Sequence, residues 1–315
     1  MRTGLVLILA AALAGCAAAP TTSRPMRSQV PAQIASQLRQ IGPVVAPPPT
    51  AAIYAPMQQR EPYAGVKVTR DLHYGPDARH LLDVFTPESG GGARPVLVFV
   101  HGGGFIAGNK RTGDSPFYDN VMLWAVKNGM VGVNMTYRLA PQHPWPAAQQ
   151  DIGAALSWVR REIAARGGDP QRVILMGHSA GATHVAEYVA HPEFHAGPRG
   201  GIAGAVMVSG VFDTTTAEIN PPLQAYFGKD ASLYAQRSAL PGMLKSGLPM
   251  LLAYAELDPR DFQRQGEQVH AALCQAGNCP PLLKLTDHSH MSEVYSINTS
   301  DASLTDALRA FVMRR

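Results

Sequence analysis

Cysteine, aromatic and charged residues are all sparse in this chain of 315 residues: three cysteines, 7% aromatics and 16% charged residues. Three thiols cannot knit a disulfide framework through such a length, so the fold must rest on a hydrophobic core. The basic residues are scattered without a contiguous run, and the net charge is only +4. That excludes the electrostatic footprint of a nucleic-acid-binding protein. No internal repeat recurs, which removes solenoids and propellers. What is plentiful is apolar residue, at 46%. This is enough to bury one large domain or two small ones, and it is unlike the composition of a disordered chain.

Near the N-terminus, Arg2 precedes the apolar run "GLVLILAAALAG". The run falls short of the roughly 20 residues of a spanning helix but suits the core of a secretory signal. It closes with Leu13, Ala14, Gly15 and Cys16, which resemble a bacterial lipobox, with Cys16 as the lipidated first residue of the mature protein. The plainer alternative is an ordinary signal peptide cut near "AAAP". Ala17 stands where an aspartate would favour inner-membrane retention in bacterial lipoproteins, so the expected address is periplasm-facing and on the outer membrane. Removing residues 1–15 takes away Arg2 and leaves a net charge of +3, one less than +4.

Residues 16–62 are rich in Ala, Pro, Gln, Thr and Ser and include "APPPT". They read as a tether carrying one short amphipathic helix through Val30, Ile34, Leu38 and Ile41 that docks on the domain. From residue 63 to 315 the pattern changes. "VKVTRDLHY" and "HLLDVFT" alternate as an opening antiparallel hairpin. "PVLVFVH", "MVGVNMTY", "RVILMG", "GAVMVSG", "PMLLAYA" and "PLLKLT" are continuous apolar runs of buried parallel strands. Helical stretches are predicted near 116–128, 146–166, 180–190, 260–276 and 301–313. Alternation of strand and helix predicts a mostly parallel, doubly wound α/β sheet, with catalytic groups at the carboxyl ends of the strands.

"GHSAG" puts Ser179 at such an end, between a strand and a helix, where a GxSxG turn exposes a nucleophile. Upstream, "VFVHGGGFIAG" sets His101 and Gly102, Gly103 and Gly104 directly after a strand. A tetrahedral intermediate needs open backbone N–H donors, so Gly103, Gly104 and Ala180 are the expected oxyanion hole. The loop lacks the spacing of a phosphate-binding one. A serine hydroxyl also needs a base and an acid in the order serine, acid, histidine. Asp258 and His290 follow strands in that order. Glu256 and Asp261 compete for the acid, with a helix-capping role expected of Asp261, and His288 competes for the base. "HPEFH" carries its glutamate in the wrong place for a zinc helix, and Pro192 would disrupt that helix. Neither a metal nor an organic cofactor is expected.

Together "HGGGFIAGNK", "NMTYRLAPQHPWPAAQQDIGAALSWV", "GHSAG", "QAYFGKDASLYAQRSAL", "AELDP" and "HSHMSEV" resemble the hormone-sensitive-lipase-like branch of the α/β-hydrolase carboxylesterases, over roughly residues 64–312. The resemblance implies the α/β-hydrolase fold, with Ser179 as nucleophile, Asp258 as acid, His290 as base and Gly102 to Gly104 as oxyanion loop. His178 departs from the aspartate of many members, and Gln142 from their glutamate. A histidine there also occurs in feruloyl-esterase-like and formamidase-like groups. The insertion at about 212–246 is short for a lid, which suits small acyl groups.

The expected function is hydrolysis of carboxylic esters, short-chain acyl or aryl, through an acyl-enzyme. An arylformamidase or feruloyl-esterase-like hydrolase is the near alternative, and a non-catalytic lipid-anchored binding protein the distant one. The expected partners are a small-molecule ester and a membrane reached through the lipid anchor; oligomeric state is left open. Export places Cys274 and Cys279 in an oxidising compartment, where they are expected to pair. For the anchor, wild type should partition with membranes and incorporate labelled palmitate, whereas Cys16→Ser should do neither. Identical behaviour of the two would remove the lipoprotein reading.

Overall fold

The computed structural model describes residues 28–315. The expected signal segment and lipobox, with Cys16, lie outside the described residues. In chain order the elements are α1 (Ala32–Ile41), α2 (Pro47–Tyr54), β1 (Val66–His73), β2 (Leu81–Pro87), β3 (Arg94–Val100), α3 (Asp119–Lys127), β4 (Val131–Met135), α4 (Ala147–Glu162), β5 (Gly168–His178) and α5 (Ala180–Ala190). These are followed by β6 (Gly204–Val208), α6 (Pro221–Phe227), α7 (Leu240–Met243), β7 (Met250–Leu257), α8 (Arg260–Gln275), β8 (Leu282–Ser289), α9 (Ser292–Tyr295) and α10 (Thr305–Met313).

The strands form one eight-stranded sheet in the order β1-β2-β4-β3-β5-β6-β7-β8. β1 pairs antiparallel with β2, and β2 with β4; every other pairing is parallel. The period-2 alternation of strand side chains divides the core in two. Val96, Val98, Val100, Val173, Leu175 and Met207 face one apolar layer. Leu97, Phe99, Ile174, Met176, Val206 and Val208 face the other. Both faces are covered, which is why these strands read as unbroken apolar runs.

The edge carries a polar anchor. β1 bulges between Thr69 and Leu72, with Asp71 at φ 54°. Arg70 pairs with Asp83 and Asp119, and Lys110 bonds Asp71 at 2.6 Å and Asp83 at 2.7 Å. Lys110 lies in the loop after β3, so the fully buried carboxylate of Asp83 fixes the segment that follows the glycine run.

The segment read as a tether is folded against the domain from Val30 onward. α1 buries Ile34, Ala35 and Leu38, as the helical spacing predicts, in one layer with Leu285 and Tyr295. The proline run, read as part of the tether, opens α2. Its prolines occupy the first turn, where a missing N–H costs no intrahelical bond. Just beyond α2, Gln58 Nε2 donates to the carbonyls of Tyr295 at 2.8 Å and Ile297 at 2.9 Å. The insertion at 212–246 holds only α6, α7 and a short 3-10 turn. Cys274 and Cys279 form a disulfide between α8 and β8.

Because Leu38 is fully buried, Leu38→Ala should destabilise the protein by about 2–5 kcal/mol. Chemical denaturation of the purified protein reads this directly. A change within about 0.5 kcal/mol, as at a surface position, would show that α1 does not dock.

Candidate active site

β5 delivers Ser179 at the centre of the sheet. The serine is pinned at φ 58°, ψ −126°, a backbone region that side chains other than glycine rarely occupy. The turn closes because its neighbours lack side chains. A Cβ on Gly177 would meet the Gly181 carbonyl oxygen at 2.2 Å, and one on Gly181 would meet the Val100 carbonyl oxygen at 2.1 Å. The two glycines of the motif therefore serve close packing of β5, α5 and β3.

Ser179 Oγ lies 2.8 Å from His290 Nε2, and His290 Nδ1 lies 2.7 Å from Asp258 Oδ1. Asp258 and His290 are fully buried, and Ser179 is 9% exposed. The second oxygen of Asp258 accepts the Ser209 hydroxyl at 2.6 Å and the Ala255 N–H at 2.7 Å. Four strand ends supply these groups: β5 the serine, β6 Ser209, β7 the aspartate and β8 the histidine.

The rival groups are all engaged elsewhere. Glu256 accepts the Asp287 N–H at 2.9 Å. Asp261 accepts the Glu218 N–H at 2.9 Å and pairs with Arg264, so it anchors the insertion; the N-cap of α8 is Pro259, which makes no side-chain cap. His288 contacts Ser292 Oγ at 3.1 Å and Asp301 at 3.1 Å. This second Ser, His and Asp grouping is buried, and Ser292 Oγ is already bonded to both the N–H and the carbonyl of Ser289.

The glycine loop packs onto the elbow, with a Cβ on Gly102 falling 3.0 Å from Ser179 Cβ. Gly103 and Gly104 sit at φ 134° and 58°, and neither N–H donates to another described residue. Ala180 opens α5, so its N–H has no intrahelical acceptor and stands at the positive end of the helix. His101 is a structural part of the motif: it contacts its neighbour's carbonyl at 2.7 Å, stacks on Tyr137, and burial pushes it down to about 3.

A cavity of about 530 Å³ opens over Ser179 and Gly102 to Gly104. Its walls include Val45, Pro47 and Ala51 from the N-terminal segment, with Phe117, Tyr118 and Tyr295. Among the described residues, no Asp, Glu, Lys or Arg lines it. Trp145 lies outside this lining: its Nε1–H donates to Glu187 and its ring packs on His191 and Phe194. The sequence reading missed Ser209, Glu293 and the α2 wall. A buried glutamate one turn past the histidine was the available signal for the second of these.

The fold is that of the α/β hydrolases. The BD-FAE family model matches residues 82–196, from β2 to just past α5. Esterase LipQ of Mycobacterium tuberculosis is 32% identical over 202 residues, covering 61% of this chain and 47% of that protein. Para-nitrobenzyl esterase of Bacillus subtilis is 30% identical over 258 residues, covering 71% of this chain and 50% of that protein. The chain thus spans about half the length of these curated relatives. Among solved structures, a thermostable esterase from Pseudomonas putida superposes with a TM-score of 0.65 at 20% identity, over 89% of this chain and 94% of that one.

The geometry separates the competing residues by experiment. His290→Ala and Asp258→Asn should each lower ester turnover by about 10³-fold or more, because one removes the base and the other favours the wrong imidazole tautomer. His288→Gln and Asp261→Asn should keep most of it. A reversed pattern in steady-state kinetics would overturn this assignment.

Proposed function

We propose that the chain is a serine hydrolase that cleaves uncharged carboxylic esters through an acyl-enzyme. One observation carries the reading: a continuous hydrogen-bond line from Ser179 through His290 to Asp258, built on a strained elbow beside open backbone donors. The names of the esterase relatives support the same reaction class. The wider segment resemblance supports a place in the hormone-sensitive-lipase-like branch, while the BD-FAE match covers the nucleophile half of the chain.

His290 Nε2 accepts the Ser179 proton as Oγ attacks the ester carbonyl. The developing oxyanion takes the N–H groups of Gly103, Gly104 and Ala180, whose directions are fixed before the substrate arrives. His290, its Nδ1–H held by Asp258, then gives the proton to the departing alcohol oxygen. Water attacks the acyl-enzyme with the same imidazole as base, and Ser179 is regenerated.

The uncharged lining selects against ionic acyl or alcohol groups, since desolvating a charge there would meet no partner. The rings of Phe117, Tyr118 and Tyr295 suit an aryl group or a short alkyl chain. Membrane attachment through Cys16 completes the proposal and puts the reaction at a periplasm-facing surface.

A panel of p-nitrophenyl esters of increasing chain length, with methyl ferulate and N-formylkynurenine, tests the reading on the purified protein. Acetate, butyrate and aryl esters should turn over fastest, with activity falling for long chains. Turnover of the formamide alone would favour the arylformamidase alternative. Binding without turnover of any would leave a non-catalytic ester-binding protein.

A further inference from the structure

Two buried carboxyl groups lie near the His290 imidazole, and their surroundings are opposite. Asp258 receives three donors, from Ser209, Ala255 and His290. Glu293, on α9 just beyond His290, is fully buried, yet neither of its oxygens has a regular hydrogen-bond partner among the described residues. Its nearest polar contact is His178 Nε2, 3.2 Å from Oε1. That nitrogen faces the main-chain carbonyl of His290 itself, at 2.8 Å. Because a carbonyl only accepts, His178 carries its proton on Nε2.

We propose that Glu293 is a positioning residue which, through His178, holds the imidazole of His290 in register with Ser179 and Asp258. The proposal rests on the ester-hydrolase reading above. His178 directly precedes the nucleophile, so its bond to the His290 carbonyl ties the elbow to the histidine loop. Its ring centroid lies 4.8 Å from that of His290. Glu293 braces the same Nε2–H from the other side, 3.2 Å from the nitrogen.

Glu293 performs this role as a neutral acid. An ionised carboxylate here would be an unpaired buried anion facing a second, already satisfied one. Burial and the charge of Asp258 push the Glu293 carboxyl well above its usual range. Burial and His290 push His178 well below its own, so the pair is not an ion pair. His178, His290 and Glu293 also have the spacing of a metal-ligand cluster. However, both His290 nitrogens and His178 Nε2 are engaged within the protein, which favours the positioning role.

The test compares Glu293→Gln, a neutral donor of the same shape, with Glu293→Leu, which fills the space without polar atoms. Two readouts are needed: kcat and KM on p-nitrophenyl butyrate, and the downfield proton resonance of His290 Nδ1–H in the substrate-free protein. The glutamine variant should keep kcat within about threefold and preserve the resonance. The leucine variant should lose kcat by about tenfold or more at nearly constant KM, as a displaced base would, and its resonance should shift or broaden. Glu293→Met replaces it if leucine prevents folding. Wild-type kcat and resonance in the apolar variant would overturn the proposal, as would a glutamine variant as damaged as the apolar one. The resonance needs no substrate. Its response to these variants in a protein that cleaves no ester would therefore sink the substrate reading while leaving the positioning role standing.

Discussion

The backbone of Ser179 is the constraint on which the rest of the site depends. A serine at φ 58°, ψ −126° stores strain of about 1–3 kcal/mol, which persists only where the surroundings over-determine it. Here they do so on every side. The Ser179 N–H is bonded to the Val208 carbonyl at 2.9 Å, α5 starts at the next residue, and bare glycine faces let β3 and α5 approach. The central position of β5 between β3 and β6 supplies this enclosure. Because the same β3 ends in the glycine loop, the strand that packs against the serine turn also delivers the open N–H groups of that loop.

A second ordering principle is the unequal treatment of similar groups by their environments. Asp258 and Glu293 are both buried carboxyls near one imidazole, and only the first is surrounded by donors. His101 and His178 are both buried imidazoles within the site, and burial holds each neutral. His290 is the one of the three that faces the Ser179 hydroxyl on one side and a carboxylate on the other. The partners each imidazole is given thus set these histidines apart.

Much of this was legible in the residues themselves, and the parts that were not share a physical cause. Ser179, the glycine loop and the strand pattern obey local rules, such as a turn that demands glycines or an apolar run that demands burial on both faces. The choice of Asp258 over Glu256 and Asp261 was not local. It depended on which of three carboxyls, within a single turn of chain, pointed toward a histidine on the next strand. The same holds for Ser209, Glu293 and the fork at His178, whose partners meet only when β5, β6 and α9 converge. The helical spacing through Val30, Ile34 and Leu38 announced α1, whereas α2 hid behind its prolines, because proline composition resembles that of an extended tether even where the first helical turn tolerates it. Hence the N-terminal wall of the cavity over Ser179 could not be anticipated from composition.

The central claim is that Ser179 is the activated nucleophile, and covalent trapping tests it most directly. The purified protein is incubated with a fluorophosphonate, its intact mass is measured, and the modified peptide is sequenced. The account predicts a single adduct on Ser179, formed in step with loss of ester turnover, and absent in Ser179→Ala. An adduct on another residue, or full esterase activity persisting in Ser179→Ala, would contradict it.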